Sequence, residues 1–420
     1  MQIDILDPQL YRADPYPTYA WLRKHAPIYW DERQQLWVVS KYEDVVYVSK
    51  NPKLFCSGFG VRPNLGGAAG SVKLSIIDTD EPRHGQLRRL VNRGFTPGRV
   101  NLLEPTIRKM ITQSIDAVAA RGECDFVQDI AVPLPLLVIS DLLGIRREDH
   151  DRFQQWSDAM IGSDGFYDDP EVMQKAGAAF AELAAYMTSI IEERRKQPQD
   201  DLVSILVGAH DDGILDPDEA EITNDELLMF MTLLLVAGNE TTRNAMTGGM
   251  IALIQHPQER EKLLRNPKLI LSAVDEIVRW VSPVLNFKRT VTQDTELRGQ
   301  ALAQGDSVLL LYGSANRDEA QFEDPDHFKV ERKPNNHVGF GMGNHFCLGA
   351  NLARLELRVA FEELLRRLPD MLFAPGSQPE VYPSTLVRSF VHLPVIFTPE
   401  RPRSRARPSQ PQAQASAVAG

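Results

Sequence analysis

Apolar residues recur at helical spacing along most of the chain, and this pattern predicts a largely helical protein. The longest predicted helix begins at Thr223, which is followed by Glu226 at the spacing of a capping box. It runs to His256, where Pro257 follows, and it is roughly 50 Å long at about 1.5 Å per residue. The other predicted helices cover residues 16–25, 42–50, 83–93, 100–120, 133–143, 147–161, 170–196, 202–209, 257–264 and 269–281.

Aromatic and β-branched residues predict strands in a few shorter stretches. Residues 28–40 are typical of a hairpin that turns at 31–34, and residues 307–311 and 390–397 are predicted strands. Residues 57–70 are rich in glycine and lack periodicity, so they form a candidate lid loop over a pocket. The expected fold class is therefore mainly α with a smaller β part.

The composition is that of a globular protein with a sizeable core, since 43% of its 420 residues are hydrophobic. The formal net charge of −11 argues against nucleic acid as the main partner. The three cysteines, Cys56, Cys124 and Cys347, form no CxxC pair. Their spacing argues against a disulfide framework or a zinc site and fits a reducing, cytoplasmic location.

The ends of the chain and its apolar runs predict a soluble protein. The N-terminus lacks the basic and apolar segments of a signal peptide, and the most apolar run, residues 227–238, is too short to span a membrane. Residues 1–400 are expected to form a single domain. Residues 401–420 are rich in arginine, proline and alanine without any acid, which predicts a disordered tail. Docking of an acidic partner on that tail is the alternative interpretation.

One short stretch, residues 340–349, places Cys347 among glycines directly before a helical pattern. Cys347 should therefore lie at a helix N-terminus, where unpaired N–H groups favour negative charge and lower the pKa of a thiol. The glycines let the backbone approach a large, flat group closely. A thiolate held in this way is a strong axial ligand for haem iron. The alternative is that Cys347 is a small buried apolar residue.

The centre of the longest predicted helix has an unusual composition, Ala237-Gly238-Asn239-Glu240-Thr241-Thr242. A glycine inside a helix costs about 1 kcal/mol, and threonine hydroxyls compete for backbone carbonyls. Reductive cleavage of dioxygen requires two protons, which a buried acid and a neighbouring alcohol can relay. The alternative is a polar turn of the helix that faces solvent.

The stretch around Cys347 resembles the haem-binding loop of the cytochrome P450 family. The matching motif positions are Phe340, Gly341, Gly343, His345, Cys347 and Gly349. The resemblance implies a cytochrome P450 fold with haem b between the long central helix and this loop. It also implies that Cys347 is the proximal metal ligand and that Phe340, Gly341 and Gly349 contact the haem.

The same resemblance assigns roles in the central helix. Glu240 corresponds to the acid and Thr241 to the alcohol of the family's acid–alcohol pair, and Ala237 and Gly238 leave room for haem and oxygen. The regions expected to line a largely apolar substrate cavity are residues 59–74, 160–172, 285–287 and 388–391. The individual residues expected to contact substrate are Leu233, Val236, Leu285 and Phe390, with Met160, Phe166 and Tyr167 also apolar.

Charged residues at family positions are expected to hold the haem and its loop. His84, Arg88, Arg289 and His345 match positions that contact the propionates, although a surface charge is the ordinary explanation for any one of them. Glu276, Arg279 and Arg332 match the family's buried ion cluster behind the cysteine loop. A surface salt bridge is the alternative for the Glu276–Arg279 pair.

The function implied by the resemblance is that of a haem-thiolate monooxygenase. Such an enzyme inserts one oxygen atom from O2 into an unactivated C–H bond, with electrons from NAD(P)H through a separate ferredoxin and reductase. A peroxygenase is one alternative, against which Glu240-Thr241 argues, because peroxygenases of the family typically lack that pair. A non-catalytic haem sensor or carrier is another.

The substrate class and the donor surface follow from narrower likenesses. Residues 238–243 and 282–290 resemble actinobacterial members that oxidise sterol side chains and methyl-branched lipids, which implies a lipophilic substrate. A basic group in an otherwise acidic chain could dock an acidic ferredoxin, or it could be a solvated face. Its members are Arg83, Arg89, Arg93 and Arg99.

Overall fold

The computed structural model describes residues 2–63, 75–162, 169–199, 201–211 and 223–400. Part of the predicted lid loop, the residues Phe166 and Tyr167 and the predicted tail 401–420 lie outside the described residues. The helices are α1 (Pro8–Arg12), α2 (Tyr16–His25), α3 (Tyr42–Lys50), α4 (Arg83–Asn92), α5 (Pro97–Leu102), α6 (Glu104–Val118), α7 (Pro133–Leu142), α8 (His150–Ile161), α9 (Pro170–Lys196), α10 (Leu202–Asp211), α11 (Asn224–Gln255), α12 (Pro257–Arg265), α13 (Ile270–Val281), α14 (Tyr312–Ala315) and α15 (Ala350–Arg367). The strands are β1 (Ile28–Asp31), β2 (Leu36–Val39), β3 (Phe55–Cys56), β4 (Glu123–Asp125), β5 (Asn286–Val291), β6 (Thr295–Leu297), β7 (Gln300–Leu302), β8 (Ser307–Leu311), β9 (Leu372–Phe373), β10 (Glu380–Tyr382), β11 (Ser389–His392) and β12 (Pro394–Ile396).

The fold class is confirmed as mainly helical with a smaller β part. Helices α2, α3 and α9 and strand β8 have the predicted bounds, and the predicted hairpin is β1–β2. The capping box of α11 is formed, because Thr223 Oγ1 accepts from the Glu226 N–H at 3.1 Å and Glu226 Oε2 accepts from the Thr223 N–H at 2.8 Å. These elements depend on local residue patterns, which the sequence displays directly.

Two predictions of element bounds are wrong. The helix predicted over residues 100–120 is interrupted at Leu103, because Pro105 has no N–H to continue the ladder and instead occupies the first turn of α6. Residues Val127–Ala131, for which no element was predicted, form a π-helix turn before Pro133, where α7 begins as predicted. The final predicted strand is divided at Leu393 into β11 and β12, which pair in different sheets.

The largest sheet has the order β1-β2-β8-β5-β3. Its inner strands β2 and β8 run parallel, with Trp37 opposite Val308, and β5 runs antiparallel to β8, with Arg289 also opposite Val308. Side chains two apart on a strand point to the same face. This register therefore carries Phe287 and Arg289 to one side of β5, where the site described below lies.

Helix α11 crosses the main hydrophobic core and packs against α7, α13 and α15. A Cβ on Gly249 would lie 2.8 Å from both Ile277 and Phe361, so the absence of a side chain there allows α11, α13 and α15 to approach closely. Among the described residues, no helix combines the length and the apolar character needed to cross a membrane.

A buried ion cluster lies between α13 and the segment that precedes the cysteine loop. Glu276 accepts from Arg279 Nε at 2.7 Å and from Arg332 Nε at 3.0 Å, and all three residues are buried. The terminal nitrogens of the Arg279 and Arg332 guanidinium groups also donate to backbone oxygens, including that of His327. The surface interpretation of the Glu276–Arg279 pair is therefore wrong, and the cluster supports the fold at this point.

Candidate functional site

A cavity of about 240 Å³ lies between the middle of α11 and the loop that precedes α15. Most of its wall is apolar, and one edge carries basic side chains. The lining residues are Ile76, Ile77, His84, Arg88, Phe95, Pro135, Ile139, Phe230, Leu233, Leu234, Ala237, Gly238, Thr241, Thr242, Ala245, Val278, Pro283, Val284, Phe287, Arg289, Tyr312, Gly339, Phe340, Gly341, Met342, His345, Phe346, Cys347, Leu348, Gly349, Leu352, Ala353, Glu356 and Leu357.

The cysteine loop is held in a tight conformation that needs its glycines. The Cys347 N–H donates to the Phe340 oxygen at 2.8 Å, which closes the loop on itself. Gly341 and Gly343 have φ angles of 71° and 72°, a region that disfavours residues with a side chain. Gly343 also contacts the backbone of Ser49 so closely that a Cβ would overlap the Ser49 oxygen.

Cys347 lies just before α15, as predicted, but the net effect on its thiol differs from the expectation. Burial raises the pKa of the Cys347 thiol. The Gly349 N–H and the charges of Arg88 and Arg354 act in the opposite direction and lower it. The sequence predicted only a lowering of the thiol pKa by the N–H groups at the start of the helix. It did not show the desolvation of Cys347 in the enclosed loop, which raises that pKa.

The α11 side of the cavity is formed by small residues and threonine. Thr241 Oγ1 donates to the Ala237 oxygen at 2.7 Å, one turn earlier in the helix. A Cβ on Gly238 would lie 3.3 Å from Ile139 Cδ1 on α7. Gly238 therefore borders the cavity and also allows α7 to pack closely against α11. The sequence around Gly238 did not indicate this second role.

Glu240 does not line the cavity. Its side chain is buried outside the cavity lining, where Oε2 pairs with Arg243 Nη2. Glu240 Oε1 accepts from Asn244 Nδ2 at 2.7 Å and from Ser389 Oγ at 2.9 Å. The structure thus brings Thr241 to the cavity and turns the adjacent carboxylate away from it.

The basic edge brings together His84 and Arg88 of α4, Arg289 of β5 and His345 of the cysteine loop, three segments that are far apart in the sequence. The rings of His84 and His345 have centroids 4.2 Å apart. Burial, followed by the charges of Arg289, His84 and Arg88, lowers the pKa of His345 to about 2. Arg88 and Arg289 therefore supply the positive charge at this edge, and their charges favour an anion there.

Three of the four predicted substrate contacts lie outside the lining. Leu285 packs in the N-terminal hydrophobic cluster, Phe390 lies in the main core, and Val236 is half-buried on α11 away from the cavity; only Leu233 lines it. Phe287, within the predicted region 285–287, does line the cavity.

Sequence reasoning missed several lining residues. These include Ile76, Ile77, Phe230, Pro283, Val284, Tyr312 and Glu356. Helical spacing could have found Phe230, because it lies three positions before Leu233 on α11, so the two share one face of that helix.

The comparison with protein families decides the identity of this site. The family model described as cytochrome P450 matches residues 20–394. The chain belongs to the cytochrome P450 family. It is accordingly a monooxygenase that binds haem b.

Similar P450 proteins span nearly the whole chain. A steroid C26-monooxygenase of Mycobacterium tuberculosis is 40% identical over 402 residues, covering 95% of this chain and 98% of the relative. A methyl-branched lipid omega-hydroxylase of the same organism is 41% identical over 407 residues, covering 91% of this chain and 90% of the relative. The structure of CYP109E1 from Bacillus megaterium in complex with testosterone has a TM-score of 0.84 and 34% identity, and the match covers 93% of this chain and 99% of that one.

The residues of the cavity fit a haem group on three counts. The apolar walls of α11 and the cysteine loop suit a flat porphyrin, and Cys347 supplies a sulfur donor on one wall. The basic edge suits two propionates, and in the described part of the chain the buried His84 Nδ1 makes no hydrogen bond, its nearest acidic atom being Glu81 Oε1 at 3.5 Å. These features account for a cofactor that carries both an apolar ring and two negative charges.

Proposed function

We propose that Cys347 is the thiolate ligand of the haem iron in this P450 monooxygenase. The observation that carries the proposal is that Cys347 is the only cysteine in the cavity lining within the described part of the chain. Cys56 lies in β3 and Cys124 in β4, both outside that lining. Haem supplies, when bound, the redox chemistry that activates dioxygen for insertion into a C–H bond.

The other cavity residues orient the haem in this proposal. His84, Arg88, Arg289 and His345 hold the propionates by charge and hydrogen bonding. Phe340, Gly341 and Gly349 would contact the haem from the cysteine loop, and Ala237 and Gly238 would contact it from α11. The apolar surroundings exclude water from the reacting region, which strengthens every electrostatic interaction inside it.

Thr241 and Glu240 are assigned to proton delivery. Each turnover uses O2, two electrons and two protons, and it releases one water with the hydroxylated product. Thr241 Oγ1 is the hydroxyl that holds a proton at the cavity wall. The carboxyl group of Glu240 replenishes it, which requires Glu240 to turn from its buried partners toward the cavity.

The substrate is assigned to the class of steroid side chains or branched acyl chains. A largely apolar wall selects a lipophilic molecule, and the described residues that form it include Ile76, Ile77, Phe230, Leu233, Val284 and Phe287. The relatives named above, a steroid C26-monooxygenase and a methyl-branched lipid omega-hydroxylase, support this class.

The electron donor is assigned to an acidic ferredoxin that takes electrons from NAD(P)H through a reductase. Arg89, Arg93 and Arg99 are exposed at or after α4, the helix that carries His84 and Arg88. Arg83 instead pairs with Glu226 of α11. The location assigned to the protein is the cytoplasm, a reducing compartment that suits a chain with three cysteines and no CxxC pair.

The substrate assignment is tested by titrating sterols, methyl-branched fatty acids and terpenoids while the Soret band is recorded. Entry of a well-fitting substrate shifts the haem spin state, and only the first two classes are expected to do so with high affinity. Absence of a shift with any sterol or branched lipid would overturn the substrate class but not the P450 assignment.

The role of Thr241 is tested by Thr241→Ala, which should raise peroxide release relative to product severalfold. The matched control is Thr232→Ala on the same helix, because Thr232 also donates to a helix carbonyl but does not line the cavity. Unchanged coupling in Thr241→Ala would contradict the proton-delivery role.

The donor surface is tested by reversing the charge of Arg93 and Arg99, which should slow reduction by ferredoxin more at low than at high salt.

A further inference from the structure

The carboxylate of Glu240 accepts two hydrogen bonds on Oε1 and makes an ion-pair contact with Arg243 through Oε2, and none of these partners lines the cavity. Arg243 and Asn244 come from the same helix, at three and four residues after Glu240. Ser389 comes from β11, 149 residues away in the sequence. Because the carboxylate itself is buried, it must give up strong interactions before it can face Thr241.

Arg243 is shared between two acids. Its Nη2 pairs with the buried Glu240, and its Nη1 lies 3.4 Å from Asp158 Oδ1 on α8. The two acids differ in environment, since the side chain of Asp158 is 47% exposed and that of Glu240 is 3% exposed. A guanidinium has enough donors to serve both acids, but a shift toward one weakens its hold on the other.

Strand β11 fixes the other side of the carboxylate. The Phe390 N–H donates to Asn244 Oδ1 at 3.0 Å, which orients the Asn244 amide so that its Nδ2 faces Glu240. Ser389 then adds a second hydrogen bond to the same oxygen of Glu240. The position of Glu240 is therefore set by α8, α11 and β11 together.

We propose that Arg243, Asp158 and Ser389 are positioning residues that set how readily Glu240 turns from its buried partners toward Thr241. This inference rests on the proposed role of Glu240 and Thr241 in proton delivery. Asp158 competes for Arg243 and so eases the release of Glu240. Ser389 opposes that release, because its hydroxyl stabilises the buried orientation of the carboxylate.

Asp158 and Ser389 are expected to have opposite effects on the rate of proton delivery. Two residues with merely structural roles would not produce opposite effects. In the haem-loaded enzyme with substrate and electron donor, Asp158→Asn should increase the solvent deuterium isotope effect on turnover and the fraction of peroxide released. Ser389→Ala should decrease the isotope effect. The expected change in the rate of proton delivery is about fivefold in each case, the factor that corresponds to one hydrogen bond of ordinary net strength.

The matched control is Asp151→Asn, which makes the same chemical change at the exposed start of α8. It should leave both quantities unchanged. Equal changes in Asp151→Asn and Asp158→Asn would overturn the inference, because the effect would then come from the charge of α8 in general.

A second measurement does not depend on turnover. Asp158→Asn and Glu240→Gln, made alone and together, should have non-additive effects on the midpoint of urea unfolding, because both acids share Arg243. The non-additivity should vanish in an Arg243→Met background. Additive effects in the parent background would overturn the sharing of Arg243. Glu240→Asp keeps the charge and serves if Glu240→Gln fails to fold.

Failure of this inference and failure of the proposed function give different results. If Glu240→Gln leaves coupling and the isotope effect unchanged, Glu240 does not deliver protons, and both statements fail. If Glu240→Gln slows proton delivery while Asp158→Asn and Ser389→Ala leave the isotope effect unchanged, only the positioning roles are overturned.

Discussion

Arg88 Nη2 donates a hydrogen bond to the backbone oxygen of Phe346 at 2.7 Å, although the two residues are 258 positions apart in the sequence. Phe346 directly precedes Cys347, so this bond joins the basic edge of the cavity to the cysteine loop. The charge of Arg88 also lowers the pKa of the Cys347 thiol, against the effect of burial. One side chain therefore acts on both the proposed propionate site and the proposed iron ligand.

Replacement of Arg88 by alanine should weaken haem retention. The variant loses a charge-assisted hydrogen bond to the loop and one of the cations at the basic edge, which corresponds to about tenfold or more in affinity. The measurement is the ratio of Soret to protein absorbance after transfer of haem to apomyoglobin. Arg88→Lys should restore part of the affinity, and Arg89→Ala on the exposed side of α4 should have little effect. Equal haem loss from Arg88→Ala and Arg89→Ala would contradict the assignment.

Replacement of Cys347 by serine should remove the red-shifted absorption of the reduced carbon monoxide complex, because that band requires a thiolate ligand. Turnover should be lost in the same variant. Cys124→Ser is the matched control, since Cys124 lies in β4 outside the cavity lining and burial raises its thiol pKa to about 12. Persistence of the band in Cys347→Ser would disprove the proposed ligand.

Replacement of Glu276 by glutamine should destabilise the fold strongly. The variant leaves the buried guanidinium groups of Arg279 and Arg332 without their shared anion, and the loss of one partner from a buried ion cluster costs about 3–5 kcal/mol. Urea unfolding measures the change. Glu261→Gln, which breaks an exposed pair with Arg265 on α12, should cost less than about 1 kcal/mol. Similar losses in the two variants would argue against the structural role of the buried cluster.

Replacement of Glu356 by glutamine should stabilise the protein at alkaline pH. Burial raises the pKa of Glu356 from 4.5 to about 8, so the folded protein keeps a proton that the unfolded chain releases between these values. The stabilising contribution of this group is complete below pH 4.5 and is lost as the pH rises toward 8. The variant and the parent should be equally stable at the acidic end and differ by a few kcal/mol at the alkaline end.

The measurement for Glu356 is urea unfolding across that pH window. Glu362→Gln on the same helix provides the contrast, because Glu362 pairs with Arg108 and Arg358 and its loss should destabilise the fold. A difference between parent and Glu356→Gln that stays constant with pH would show that this carboxyl ionises in the folded protein as it does in the unfolded chain.

The parts of the site that lie close together in the sequence were predictable. The loop from Phe340 to Gly349 and the start of α15 form one contiguous unit, and the pair His84 and Arg88 shares one face of α4 by helical spacing. The bounds of α2, α3 and α9 were also predictable, because caps, prolines and apolar periodicity act within a few residues.

The parts that depend on contacts between distant elements were not predictable. Leu285 and Phe390 belong to stretches expected near the cavity, yet their side chains pack into two different hydrophobic clusters. The direction of the Glu240 side chain depends on Arg243 within α11 and on Ser389 from β11. The residues near Glu240 in the sequence do not indicate that a distant strand will place a hydroxyl group beside its carboxylate.

The amino-acid sequence alone determined the helical class, the cysteine that faces the cavity, and the polar residues at the centre of α11, because each is carried by a short run of neighbouring positions. The tertiary structure decided that four nitrogen-bearing side chains meet at one cavity edge and that the thiol pKa is raised by enclosure. It also decided that Glu240 is turned from the cavity. The burial and the local charge of these side chains depend on segments that are hundreds of residues apart in the sequence, and only folding brings those segments together.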